Sequence, residues 1–214
     1  INILALIPTA ENLLDSQAYK PGDLIQIYNG KRVEIIDTDA EGRLLLADAL
    51  SYAVAQKADI LVDAATLTGG VIKAIGHVGT GIMGNNTWAM DLMMRSGERY
   101  AEKMWKFPLW PEFNVHLKST VASISNCHGS PVASTPTAGK FLEHFVDETP
   151  WVHMDIAGTA SIEEDSTLYY HKPYLPKRGA TGVGVRSISH FVELLCESSN
   201  GKKSKLKDLL KVRE

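Results

Sequence analysis

Short β-type runs alternate with longer helical patterns along this chain, and that order narrows its architecture more than any other feature. The runs INILALIP (residues 1–8), DILVDAA (59–65), GTGIMG (79–84) and WVHMDIAG (151–158) are brief, apolar and bounded by turn residues. Between and after them, residues 44–58 are rich in Leu and Ala and long enough for a helix. Residues 86–104 and 185–197 read as helices, and 140–146 as part of another. The pattern predicts an α/β fold, with a mostly parallel sheet, helices on both faces, and chemistry outside the carboxyl ends of the strands. A hairpin is expected where DLIQIY and KRVEII flank Asn29 and Gly30, with positive φ at both turn positions. INILALIP is read as a buried strand, and so abrupt an opening suggests a start inside a larger protein.

At 214 residues, 44% hydrophobic and 22% charged, the chain can build one ordinary globular core. The net charge of −3 gives no overall basic field for nucleic acid. The charge is uneven: residues 202–214 hold six basic residues, which leaves 16 basic against 23 acidic, a net −7, in residues 1–201. Two cysteines, Cys127 and Cys196, make no disulfide framework and fit a reduced, cytoplasmic setting. No apolar run has the 18 residues of a membrane helix.

The stretch DTDAEGR (residues 37–43) is the most unusual chemistry on the chain. If extended, it places Asp37, Asp39, Glu41 and Arg43 on one face, with Thr38, Ala40 and Gly42 on the other. Three carboxylates and one guanidinium then converge at a strand end, and small Ala40 and Gly42 allow close approach. Carboxylate oxygens are hard ligands for Mg²⁺, Mn²⁺ or Zn²⁺, and one carboxylate can bridge two ions. A solvated loop at a helix N-terminus is the plain alternative, favoured by ~0.3–1 kcal/mol from the helix dipole. Spacing alone leaves both open.

The segment TDAEGRL (residues 38–44) closely resembles the signature NTDAEGRL of the leucine aminopeptidase family of two-metal exopeptidases. The blocks INILALIPTAEN (1–12), KPGD (20–23), NGK (29–31), LLADAL (45–50), DAATLTG (63–69) and HMDIAG (153–158) resemble that family's successive blocks in the same order. The resemblance implies that Asp39 and Glu41 are metal ligands, Glu41 bridging both ions. Arg43 would hold a bicarbonate or polarise the reacting centre. It implies two divalent ions, Zn²⁺ or Mn²⁺ with Mg²⁺ a further option, which lower the pKa of a shared water and anchor the peptide α-amine. Thr66, Leu67 and Gly69 would align the substrate, and Ala157 would border the pocket for its first side chain.

Two departures from the family pattern stand out. Asp37 replaces the usual Asn, which gives it a candidate supporting role behind the ligands. The family's metal-binding Lys, two further Asp ligands and catalytic Lys lie in blocks before the one resembling INILALIP, and no such segment is present here. The resemblance therefore assigns residues 1–195 to the C-terminal part of the catalytic domain and 196–214 to a basic amphipathic tail. The parent enzyme would cleave amino-terminal residues from peptides as a homohexamer in the cytoplasm, without membrane attachment. A fragment acting in oligomerisation or nucleic-acid contact is the competing class, although the acidic body argues against nucleic acid. A different two-metal hydrolase, such as a phosphatase, is the third.

Other features have structural readings. Seven histidines (His77, His116, His128, His144, His153, His171, His190) show no HExxH-type spacing. Cys127 beside His128 fits no thiol-protease signature. Met90, Leu92, Met93 and Met94 read as core or subunit contact. GTGIMG matches the dinucleotide fingerprint only superficially. Leu206, Leu209 and Leu210 share one helical face of the tail.

Overall fold

A computed structural model of the protein describes residues 1–163 and 174–211. In chain order its elements are β1 (Leu24–Gln26), β2 (Arg32–Glu34), α1 (Gly42–Ala55), β3 (Leu61–Ala65), α2 (Gly69–Ile75), β4 (Thr80–Gly84), α3 (Thr87–Arg99) and β5 (Met104–Lys106). There follow a 3-10 helix (Pro111–Leu117), β6 (Ile124–Ser125), α4 (Ser134–Glu143), β7 (Trp151–Asp155), β8 (Ser161–Ile162), β9 (Gly179–Ala180), α5 (Val185–Ser199) and α6 (Lys203–Leu209). They form two units, one of Asn2–Leu61 with Leu109–Thr149, the other of Val62–Pro108 with Pro150–Glu214 and Ile1. None of the described helices is long and apolar enough to cross a membrane.

In the first unit the sheet order is β1-β2-β6, with β1 and β2 antiparallel and β2 and β6 parallel. The hairpin forms where expected, but its turn differs. Gly30 has φ +86° while Asn29 does not enter the positive region. The Gly30 N–H donates to the Ile27 carbonyl (2.8 Å) and the Ile27 N–H to that of Lys31 (2.9 Å), closing a three-residue loop that ends on a left-handed glycine. Asn29 acts through its side chain, which accepts from the Lys31 N–H at 3.1 Å. Helix α1 packs on α4, and α4 on the 3-10 helix. Val33, Ile35, Leu44, Ala47, Ile124, Phe141, Leu142 and Phe145 make the core.

In the second unit the sheet order is β3-β7-β4-β5. Here β4 pairs parallel with β5 and antiparallel with β7. The fold is α/β, as expected, with pairing more mixed than the mostly parallel sheet read from sequence. Two glycines explain GTGIMG: a Cβ on Gly81 would come within 2.8 Å of the Val71 side chain, and one on Gly84 within 2.3 Å of the Trp151 carbonyl oxygen. These glycines serve close packing inside β4, so the dinucleotide fingerprint has no loop to occupy. Leu92 and Met93 are buried core residues. Helix α6 packs on α5, and buried Leu206 and Leu210 anchor it, with the Asn86 amide donating to the Leu210 carbonyl at 2.8 Å.

Three readings are corrected. INILALIP forms no strand, and Ile1, Ile3 and Ile7 are exposed, because no strand among the described residues supplies a ladder for it. The helix predicted over 86–104 ends at Arg99, after which Met104–Lys106 joins the sheet as β5. Helix α2 was not expected; Thr68 caps it by accepting from the Val71 N–H at 3.3 Å.

Candidate functional site

The acidic stretch is a turn feeding a helix. It is not an extended segment, so the expected alternation of faces does not hold. The Asp37 carboxylate accepts from the Asp39 N–H (3.0 Å), and the Ala40 N–H donates to the Asp37 carbonyl (3.3 Å). This side-chain turn is the local chemistry for which Asp and Asn are suited. Glu41 then has helical φ −77° and ψ −40°, and α1 begins at Gly42. Arg43 thus stands in the first turn of α1, where it donates to the Asn126 carbonyl at 2.8 Å and lies 5.9 Å from the Phe141 ring centroid.

The loop is braced from β6. Asn126 is fully buried; its side-chain oxygen accepts from the Ile36 N–H (2.9 Å) and the Asp37 N–H (3.4 Å), and its amide donates to the Asp37 carbonyl (2.6 Å). Tyr19 donates from its hydroxyl to the Thr38 carbonyl at 3.4 Å. Burial, with the nearby Glu41 charge adding to it, raises the Tyr19 pKa above that of a free phenol.

Asp39 is exposed and Glu41 half-buried, and among the described residues neither carboxylate accepts a hydrogen bond or forms an ion pair. Two uncommitted hard-oxygen donors suit a divalent cation in kind. In number they fall short, since no group of three or more His, Cys, Asp or Glu among the described residues could hold a metal ion.

The other predicted site residues belong to the second unit and are gathered by one carboxylate that sequence reading did not single out. Asp155, fully buried at the end of β7, accepts at Oδ1 from the backbone N–H groups of Leu67 (3.1 Å), Thr68 (3.4 Å) and Ala157 (3.2 Å). Its Oδ2 accepts from the Thr68 hydroxyl at 2.7 Å. Leu67 and Ala157, 90 positions apart in sequence, therefore share an anchor, while Thr66 and Gly69 are exposed on either side of the anchored Leu67 and Thr68. Beyond Ala157 the chain is pressed against residue 76, where a Cβ on Gly158 would lie 2.5 Å from the Gly76 carbonyl oxygen. Such charge-assisted bonds fix a loop backbone more firmly than turn chemistry alone.

The period of β7 puts Trp151, His153 and Asp155 on one face. There Asp63 on β3 accepts from the Trp151 indole (2.7 Å) and pairs with His153 Nδ1 (2.6 Å). The remaining described histidines have structural contacts: His77 Nδ1 with the Gly158 carbonyl, His144 with Asn114, His190 with Ser96, and His116 tilted against the His128 ring. His171 lies outside the described residues.

Comparison with known proteins decides the family. Residues 1–189 match the family described as "Cytosol aminopeptidase family, catalytic domain". The chain belongs to the cytosol aminopeptidase family. Over 193 residues it is 46% identical to a protein of Geobacter sulfurreducens named "Probable cytosol aminopeptidase", covering 90% of this chain and 37% of that protein. Proteins with the same name from Geotalea uraniireducens and Alkaliphilus oremlandii are each 45% identical, over 89% and 90% of this chain and 37% of their own lengths. The chain thus spans little more than a third of these cytosol aminopeptidases.

Proposed function

We propose that this chain supplies part of the active site of a metal-dependent aminopeptidase that hydrolyses the amino-terminal residue from peptides, of the leucyl aminopeptidase type. The observation that carries the reading is the pair of uncommitted carboxylates, Asp39 and Glu41, on a turn braced next to a tethered Arg43. Asp39 and Glu41 would hold divalent ions, Zn²⁺ or Mn²⁺, with Glu41 shared between two. Bound there, the ions would supply Lewis acidity and a water of lowered pKa. Further ligands, including a Lys and two Asp by family resemblance, would come from residues outside these 214.

The Arg43 guanidinium donates to the Asn126 carbonyl and lies near the Phe141 ring, and it would orient an anion such as bicarbonate or stabilise negative charge at the reacting carbonyl. The Asp155-anchored backbone at Leu67, with Thr66 and Gly69 beside it, would align the peptide. Small Ala157 would leave room for the first side chain. A homohexamer acting on peptides in the cytoplasm completes the reading.

The test is hydrolysis of leucine amide and of a phosphate ester by the full-length protein, first stripped with EDTA and then reloaded with Mn²⁺. Metal-restored cleavage of the amide alone supports the proposal. Cleavage of the ester alone, or amide cleavage indifferent to metal, rejects it.

A further inference from the structure

We propose that Asn126 is the positioning residue of the acidic loop, holding the carboxylates of Asp39 and Glu41 at a set distance from the Arg43 guanidinium. This rests on the metal-dependent reading above and extends it to a residue 83 positions beyond Arg43. The described hydrogen bonds of the Asn126 amide, N–H and carbonyl all go to one stretch, residues 34–43. Its N–H donates to the Glu34 carbonyl at 2.9 Å, and its carbonyl accepts from Arg43 at 2.8 Å. Its side chain accepts from Ile36 and Asp37 and donates back to the Asp37 carbonyl. The side chain therefore grips the entrance of the turn and the backbone grips its exit, with both proposed ligands between the two grips.

The amide is the one group that serves here. Asp has no donor for the Asp37 carbonyl, Ala has neither function, and Gln adds a methylene at a position with 0% exposure. Asn126 is itself fixed by the parallel register Val33↔Ile124 and Glu34↔Ser125, so the brace transmits the position of the β2-β6 ladder to the loop. Loss of the side chain would free the turn entrance while Arg43 stayed tethered to the backbone, changing the spacing between ligands and guanidinium.

The experiment compares full-length wild type, Asn126→Ala, Asn126→Asp, Arg43→Ala and Asn126→Ala/Arg43→Ala. It measures Mn²⁺ affinity by calorimetry, melting temperature, and kcat and KM on leucine amide per metal-loaded site. Asn126→Ala should weaken Mn²⁺ binding about tenfold, the scale for groups that orient metal ligands. It should also lower kcat about a hundredfold, as a misplacement on the order of 1 Å does, with little change in KM. In the Arg43→Ala background the same substitution should lower kcat less than about threefold, because the spacing no longer matters. Asn126→Asp keeps the acceptor for the Ile36 and Asp37 N–H groups but sets a second oxygen against the Asp37 carbonyl, so it should lose Mn²⁺ affinity and kcat to about the extent of Asn126→Ala. A purely structural residue would lower the melting temperature, leave kcat per loaded site near wild type, and give losses that multiply with Arg43→Ala; that result overturns the proposal. A wild type lacking metal-dependent hydrolysis removes the parent reading and this one with it, whereas an active wild type with multiplying losses removes this one alone.

Discussion

Asp37 and Asp39 stand two residues apart and have different tasks. Asp37 builds the turn by accepting from the Asp39 N–H, a role that an Asn oxygen fills equally well. Asp37→Asn is therefore expected to leave stability within about 0.5 kcal/mol of wild type and most activity in place. Asp37→Ala, which leaves the Asp39 N–H to water, should cost about 0.5–1.5 kcal/mol in urea unfolding. Equal loss of Mn²⁺ affinity in Asp37→Asn and Asp39→Asn would instead make Asp37 a ligand. Arg43→Ala should lower kcat about a hundredfold with Mn²⁺ loading retained, since the guanidinium acts on charge and is not a ligand. At this scale the sequence was legible where chemistry is local. Asp39, Glu41 and Arg43 lie within five residues, but Asn126 finds its partners 83–92 positions away and Asp155 reaches Leu67 and Thr68 87–88 positions away, and no local spacing signals these pairings.

Elements were readable when one run of residues dictates them and less so when a partner does. Helix α1 follows from its Leu and Ala content. Helix α2 was hidden because Gly69 and Gly70 read as a break, while the Thr68 cap that starts it depends on Asp155. The Asn29-Gly30 hairpin was placed correctly, with a looser turn than the two-residue type. Strand β4 makes the close packing testable: Gly84→Ala sets a methyl against the Trp151 carbonyl and should destabilise the protein by about 1–3 kcal/mol or more in thermal unfolding. The end of α4 carries a pH signature. Burial, then the nearby Lys31 charge, lowers the His144 pKa below its ordinary value. The unfolded chain then binds the extra proton first, so this contribution to stability is complete above about pH 6.5 and is lost as pH falls toward the folded pKa. Melting temperatures between neutral and mildly acid pH should drop less steeply in His144→Gln than in wild type; identical slopes would exclude the histidine as the cause.

At the scale of the molecule, the carboxylates and Arg43 belong to the first unit, and the Asp155-anchored loop and Ala157 to the second. The family was legible from blocks that match in order along the chain. INILALIP was misread because a strand exists only with a partner to pair it. Two carboxylates with no third donor among the described residues also predict that residues 1–214 alone bind Mn²⁺ weakly and do not cleave leucine amide; tight binding with turnover would show that these residues complete the site by themselves. The most direct measurement of the central claim is a calorimetric titration of Mn²⁺ into the EDTA-stripped full-length protein and its Asp39→Asn and Glu41→Gln variants. The account predicts about two ions per chain in wild type, and loss or at least about tenfold weakening of an ion in each variant, with Glu41→Gln affecting both ions. Wild-type stoichiometry and affinity in both variants would contradict it.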